Sequence, residues 1–178
     1  MSEAAISWTE AEPARFERER EAMASLTDEL AWRDDLSHRG RRWCGWSGPV
    51  SAWAAERTAP AGLDELLAGR RLELFIVYPE GFPMIPPLLV PVDDAGDPLV
   101  APAYRTMHEW HVMGDGSLCL LQTAVAWHPD NTGVELVVEA SGWFVEYLLM
   151  RDAKIEQMTE LGVGVDSSLD ELIASYRP

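Results

Sequence analysis

An alternating strand that runs into a cluster of prolines is the feature of this sequence that most restricts its fold. Residues 71–78 read RLELFIVY, with apolar side chains on one side at a spacing of two, at Leu72, Leu74, Ile76 and Tyr78. This period predicts a β-strand with one buried face. Four prolines follow within the run YPEGFPMIPP, at positions 79, 83, 86 and 87. Because proline has no amide hydrogen for a central ladder, the chain should leave the sheet here and return in a short strand over 88–90.

Helical patterns lie on both sides of this strand region. Residues 10–30 carry an imperfect apolar stripe, and Thr9 with Glu12 matches a capping box at its start. Thr132 and Glu135 match a second capping box, which predicts a long helix to about Arg151 with a broad apolar face.

Shorter elements complete the pattern. Segments 40–46 and 50–55 are predicted as paired strands, LDELLA at 63–68 as one helical turn, and a short helix after Asp166 or Ser167. This order predicts a single α+β domain over residues 1–178, with residues 1–8 as a loose end. Its parts are an N-terminal helix, an antiparallel meander of about four strands, an irregular segment, a long helix and a short final helix.

Composition excludes several classes of function. The formal net charge of −16 argues against a nucleic-acid partner and against an anionic membrane surface. The first residues lack the pattern of a signal peptide, and no window of about 18 apolar residues exists to span a membrane. With two cysteines, Cys44 and Cys119, no disulfide framework is implied, and a reducing cytoplasm is the expected location.

The irregular segment from Glu109 to Thr132 holds the residues that could carry chemistry. Cys119 lies between a Gly-Asp-Gly turn and two leucines, and His111 precedes it by eight residues. A cysteine attacks as its thiolate and needs access, together with a group that stabilises the charge on the attacked carbonyl. Gly114 and Gly116 would let backbone amides approach a substrate, and His111 could donate to an oxyanion or accept a proton. The alternative is a buried cysteine that serves as a small hydrophobic residue.

A zinc site is a second alternative for the same segment. His108, His111, Cys119 and His128 are all potential zinc ligands. Their spacing matches no standard structural zinc pattern, so no metal is predicted.

The joint spacing of several motifs resembles the catalytic core of ubiquitin-conjugating enzymes over about residues 72–150. The family has a Tyr-Pro-x-x-Pro-Pro segment after a strand of its meander, and here Phe82 replaces the tyrosine before Pro83, Pro86 and Pro87. The resemblance implies the same fold and makes Cys119 the active-site cysteine. The other positions that match the family are Gly116, Leu118, Leu120, Trp127, Pro129 and Thr132.

The sequence also departs from that family. His111 stands where the family has the asparagine that supports the oxyanion. The connection from the double proline to the cysteine is longer by about a dozen residues, and the part from 152 to 178 diverges. Asp130 and Asp152 are the candidates for the acidic residue that orients the acceptor lysine. These departures resemble divergent bacterial members of the superfamily.

The resemblance implies an acyl carrier. Cys119 would accept a ubiquitin-like protein as a thioester from a ThiF-like activating enzyme and pass it to a lysine, with His111 as the second catalytic residue. Gly116, Trp127, Pro129, Asp130, Pro86 and Pro87 would support the site. A JAB-type peptidase would be a further partner in the pathway, and no cofactor is implied. A catalytically inactive binding module on the same fold remains the alternative.

Overall fold

The computed structural model describes residues 7–100, 107–120 and 127–177, and it confirms an α+β architecture with a four-stranded antiparallel sheet. The strands lie side by side in chain order as β1 Ala31–His38, β2 Arg41–Val50, β3 Leu72–Tyr78 and β4 Leu88–Val92. The helices are α1 Trp8–Ala11, α2 Pro13–Leu26, α3 Leu63–Leu67, α4 Met107–Trp110, α5 Gly133–Arg151 and α6 Asp170–Ala174. No helix in the described ranges is long and apolar enough to cross a membrane.

Strand β3 lies where the alternation predicts it. Its alternating apolar side chains are all buried, at Leu72, Leu74, Ile76 and Tyr78. The proline segment leaves the sheet as expected, but β4 continues through Pro91 to Val92 instead of ending before it. Pro91 is tolerated because β4 is an outer strand of the sheet.

Of the strands predicted at 40–46 and 50–55, the first corresponds to β2, whereas residues 51–55 form no strand and the pair predicted between them is wrong. β1 and β2 occupy 31–38 and 41–50 and turn at Arg39 and Gly40, which both have positive φ angles of 54° and 69°. Two consecutive residues of this kind suit the right-handed twist of a hairpin. β1 was missed because it is an outer strand and carries three exposed charged side chains, Arg33, Asp34 and Asp35.

The N-terminal helix is divided in two. The capping box is formed by Ser7 and Glu10 rather than by Thr9 and Glu12, and Thr9 lies inside α1. Pro13 then begins α2, which ends at Leu26. Since proline has no amide hydrogen and suits the first turn, it marks the start of a new helix here.

Helix α5 is the central helix of the core, as its sequence predicts. The capping box of Thr132 and Glu135 is present, and the helix ends at Arg151. It ends in a Schellman motif: the amide of Lys154 donates to the carbonyl of Leu149 at 2.8 Å, and Ala153 has a φ of 52°. The last helix, α6, starts at Asp170, later than predicted, because Asp166 caps a turn at Ser168 instead.

Candidate active site

A short hairpin brings Cys119 and His111 together. Val112 and Leu118 form an antiparallel bridge, and the amide of Cys119 donates to the carbonyl of His111 at 2.7 Å. Inside the hairpin, the amide of Met113 donates to the carbonyl of Ser117, also at 2.7 Å. The spacing of eight residues in the sequence therefore becomes direct contact between two backbones.

Gly116 makes the turn of this hairpin possible. Its φ of 85° lies in the left-handed region, and a Cβ atom there would come within 2.8 Å of the Cβ of Pro98. Both the angle and the lack of space exclude a side chain at this position. Gly116, which the sequence predicts as a supporting residue, therefore allows the turn that precedes Cys119.

The carboxyl group of Asp115 stabilises the same turn. It accepts hydrogen bonds from the amide and hydroxyl groups of Ser117. The hydrogen bond from the amide is 3.0 Å long. Burial acts to raise the pKa of Asp115, but these hydrogen bonds, with His38 and Arg39 nearby, lower it overall. The charged form of Asp115 is therefore favoured, and the loop that precedes Cys119 is held by a charge-assisted cap.

The hairpin is fixed between the sheet and α5. The amide of Leu118 donates to the carbonyl of Leu89 in β4 at 2.8 Å, and the indole of Trp143 in α5 donates to the carbonyl of Trp110 at 2.8 Å. Leu118 is buried whereas Cys119 is half-exposed. Because Leu118 is anchored in this way, the partly exposed Cys119 that follows it has a rigid support.

His111 combines an unusual backbone angle with a partly buried ring. Its φ is 47°, in the left-handed region, where histidine is several-fold enriched among non-glycine residues. Burial lowers the pKa of His111 below its ordinary value of 6.5, so the neutral imidazole is favoured at neutral pH. A neutral imidazole has one donor nitrogen and one acceptor nitrogen, so it can stabilise an oxyanion or take up a proton.

A groove of about 1010 Å³ opens beside the hairpin, and Cys119 and His111 both line it. One wall is the side of α5 that carries Val138, Glu139 and Gly142. Facing segments come from residues 54–57 and from residues 158–162, 164 and 165. The groove is therefore long enough for an extended peptide to lie along α5 with one of its residues beside Cys119.

Hydrogen bonds of two side chains, Glu146 and Arg57, hold the part of the groove that lies C-terminal to α5. Glu146 of α5 is buried, and its carboxyl group accepts from the amide and the hydroxyl of Thr159, both at 2.7 Å. Arg57 donates to the carbonyl of Val163 at 2.6 Å and to the carboxylate of Asp170 at 2.8 Å. These residues were missed by the sequence reasoning, since nothing in their local pattern distinguishes them from other charged residues.

Trp127 contacts the proline segment, and Pro129 contacts helix α2. The indole of Trp127 donates to the carbonyl of Pro83 at 2.8 Å, and its ring lies 6.2 Å from that of Phe82. Pro129 offers its carbonyl to the guanidinium group of Arg15, which also donates to the carbonyl of Asn131. Both predicted residues therefore support the loop that leads into α5.

Arg15 and Glu19 form a buried clamp that the sequence reasoning did not assign. The carboxyl group of Glu19 accepts from the hydroxyl of Tyr78 and from the amide of Gly133, both at 2.9 Å, and lies 3.4 Å from the Nε of Arg15. Glu19 thereby caps the first turn of α5 with its carboxyl group, whose pKa is raised by burial against these hydrogen bonds and the charge of Arg15. A signal was present: Glu19 falls on the apolar stripe of its helix between Phe16 and Met23, where a buried side chain is expected.

Other predicted residues lie apart from the thiol. Asp130 is exposed beside His128, its carboxylate 3.4 Å from the Nδ1 atom. The carboxylate of Asp152 is engaged by the hydroxyl of Tyr176 at 2.6 Å and by Arg151 at 2.8 Å. Neither aspartate is among the described residues that line the groove.

The remaining predictions concern prolines and zinc. Pro87 is buried and Pro86 half-buried directly before β4, where they fix the return of the chain to the sheet. Within the described ranges, no three His, Cys, Asp or Glu side chains are grouped so that they could hold a metal ion. The side chain of His108 lies outside the described residues, whereas His128 is exposed beside Asp130.

Comparisons of the chain with protein-family models, with curated proteins and with solved structures gave no match.

Proposed function

We propose that this chain is a ubiquitin-conjugating-like carrier enzyme, which accepts a ubiquitin-like protein on Cys119 and transfers it to a lysine amine. The observation that carries the proposal is the 2.7 Å hydrogen bond from the Cys119 amide to the His111 carbonyl. It joins the backbones of two partly exposed residues that line the same groove. The order of a helical region, a four-stranded meander and a long helix supports the proposal, because the resemblance to ubiquitin-conjugating enzymes implies it.

The first step is an exchange between two thioesters. The thiolate of Cys119 attacks the glycyl carbonyl carbon of the ubiquitin-like protein bound to a ThiF-like activating enzyme. A new C–S bond forms to Cys119, the old C–S bond breaks, and the cysteine of the activating enzyme leaves as a thiolate. Because a thioester replaces a thioester, the exchange is nearly balanced in energy and depends mainly on positioning.

The second step passes the acyl group to an amine. The neutral amine of a lysine attacks the thioester carbon, a C–N bond forms, and the thiolate of Cys119 leaves. His111 can stabilise the oxyanion of the intermediate with its N–H group or accept the proton that the amine loses. Burial lowers the pKa of His111, which keeps the ring neutral and able to do either. A JAB-type peptidase would reverse the modification.

A gel assay without reductant tests the carrier function. The protein is mixed with ATP, the activating enzyme and the ubiquitin-like protein, and a thiol-sensitive adduct of both proteins is expected. Cys119→Ser should convert this adduct to a thiol-resistant ester or abolish it, because an oxygen ester is not cleaved by thiols.

The second cysteine provides the matched control. Cys44 is half-buried, and burial raises the pKa of its thiol, which disfavours the reactive thiolate. Cys44→Ser should therefore leave the adduct unchanged. A labile adduct that persists in Cys119→Ala would overturn the proposal, and the absence of any adduct would favour a non-catalytic binding module.

A further inference from the structure

The short hairpin presents the side chains of Cys119 and His111 on one face. Val112 and Leu118 form its antiparallel bridge. His111 and Cys119 lie one residue further out on each strand and therefore stand directly opposite one another. Val112 and Leu118 are buried, and successive side chains of a strand point to opposite faces, so the outer pair points away from the core. Opposed side chains of an antiparallel pair have Cβ atoms about 4.5–5.5 Å apart. Both residues line the groove, as this register requires.

The imidazole of His111 is kept in its basic form. Burial lowers the pKa of His111, so the ring is neutral at pH 7 and one of its nitrogens carries no proton. Among the described residues, no side chain forms a hydrogen bond or an ion pair with this ring. The acceptor nitrogen is therefore available to a substrate, directly across the hairpin from the thiol that would carry the acyl group.

A base of this kind contributes more to attack by a hydroxyl group than to attack by an amine. A lysine ammonium has a pKa of about 10.4, far above the pKa of the imidazole, so His111 is too weak a base to deprotonate it. The amine attacks when it is already neutral and loses its extra proton after the C–N bond has formed. A serine or threonine hydroxyl is a weak nucleophile unless its proton is removed during the attack, which is what histidine does for the nucleophile of a serine protease. The position of His111 therefore suits a hydroxyl acceptor.

We propose that the site also transfers the acyl group from Cys119 to the hydroxyl group of a serine or threonine, with His111 as the general base. The inference rests on the acyl carrier of the proposed function and adds a second class of acceptor. The hydroxyl oxygen attacks the thioester carbon, a C–O bond forms, the C–S bond breaks, and Cys119 leaves as a thiolate. The hydroxyl proton moves to His111 and from there to solvent. The product is an ester, and no further reactant is consumed.

A chemically charged protein tests this transfer without an activating enzyme. In a Cys44→Ser background, Cys119 is the one remaining cysteine, and it is charged by exchange with the glycylglycine thioester of 2-mercaptoethanesulfonate. The loaded protein is checked by its intact mass and mixed with one of three acetylated tripeptide amides, Ala-Ser-Ala, Ala-Lys-Ala or Ala-Ala-Ala. Mass spectrometry measures the acylation of each peptide, and neutral hydroxylamine identifies the products because it cleaves esters and leaves amides intact. The serine peptide should be acylated, whereas the alanine peptide measures hydrolysis alone.

A replacement of His111 separates the base from a hydrogen-bond donor. Asparagine can donate to an oxyanion but cannot take up a proton at neutral pH. His111→Asn should therefore slow transfer to the serine peptide by about 10²-fold or more, the usual contribution of a general base, while transfer to the lysine peptide falls by less than about tenfold. His111→Ala should slow both transfers. A histidine that only supports the hairpin would give equal losses for the two peptides in each variant.

The outcomes decide the inference separately from the carrier function. A background protein that takes up no acyl group, or that forms no ester with the serine peptide, overturns the inference, and so does an ester that His111→Asn forms at an unchanged rate. If His111→Asn does not fold, the background protein alone still decides whether the ester forms. A positive gel assay without a seryl ester keeps the ubiquitin-like carrier and rejects the second acceptor class. A seryl ester with a negative gel assay rejects the ubiquitin-like carrier and keeps acyl transfer to hydroxyl groups.

Discussion

At the scale of single residues, the site depends on what His111 can do in its backbone conformation. The residue has a φ of 47°, and its carbonyl fixes Cys119. Since the backbone of any residue at this position could supply that carbonyl, the side chain is free to have a separate chemical role. Under the proposed function, this position corresponds to the asparagine of ubiquitin-conjugating enzymes, a residue type that also tolerates a left-handed conformation.

Replacing His111 separates its chemical role from its structural one. His111→Ala should slow discharge of the thioester to free lysine by about 10²- to 10³-fold, the usual effect of losing one oxyanion donor. Charging by the activating enzyme should slow much less. Single-turnover assays of each step measure both effects.

Two further variants of His111 serve as controls. His111→Asn restores a donor and should recover much of the discharge rate. His111→Gly relieves the positive φ and should be about 1 kcal/mol more stable than His111→Ala, yet discharge equally slowly. If glycine restored the rate, or if charging and discharge fell together, the role of His111 would be structural.

At the scale of elements, the sequence predicts those whose pattern is set by the core. β3 and α5 are surrounded by apolar neighbours, so their periods of 2 and 3.6 are visible in the residues themselves. β1 has a solvent-facing side and an edge, and no period identifies it. The end of α5 at Arg151 was predicted, although Ala153 rather than glycine occupies the left-handed position of its Schellman motif.

The candidate site was predictable to a similar extent. The sequence predicts Cys119 and His111 as site residues, and the structure joins their backbones by a hydrogen bond. The sequence analysis did not identify Arg15 or Glu19 as part of the site, because charged residues four apart on a helix are normally a solvated pair. Only the long-range contacts to Pro129 and Gly133 give these two side chains their function in the fold.

Replacement of Arg15 should show that α2 clamps the loop before α5. Arg15→Ala leaves the buried carboxyl group of Glu19 without its nearby cation, and it leaves two loop carbonyls without donors. Removing one partner of a buried ion pair typically costs about 3–5 kcal/mol of unfolding free energy. Urea unfolding measures the loss.

A neighbouring arginine on the same helix is the matched control. Arg18 is exposed and donates to the carbonyl of Asp130 at 3.2 Å. Arg18→Ala should cost no more than about 0.5 kcal/mol, as expected for a surface substitution. Equal losses in the two variants would contradict a clamp specific to Arg15.

At the scale of the whole molecule, the groove is made by parts of the chain that are distant in sequence. Glu146 holds Thr159 against α5, and Arg57 joins the segment before α3 to Val163 and Asp170. Residues after α5 therefore fold back over the helix and form a wall opposite the hairpin with Cys119. The sequence analysis expects this part to differ from ubiquitin-conjugating enzymes, and part of it lines the groove together with Cys119.

Glu146 should also make the stability of the whole fold depend on pH. Burial raises the pKa of Glu146 above its ordinary value of 4.5, against the hydrogen bonds from Thr159 that lower it. The folded state thus binds more protons than the unfolded state between the two pKa values, and stability falls as the pH rises through that window.

Glutamine can keep both contacts to Thr159 without a charge. The free energy of unfolding of the wild type relative to Glu146→Gln should therefore be highest below pH 4.5 and decline above it, as measured by urea unfolding at several pH values. Glu17→Gln is the control: the hydrogen bond from Arg20 lowers the pKa of Glu17, so its small difference should change in the opposite direction. A difference between wild type and Glu146→Gln that grows with pH would show that Thr159 stabilises the charge, and that burial does not control this tether.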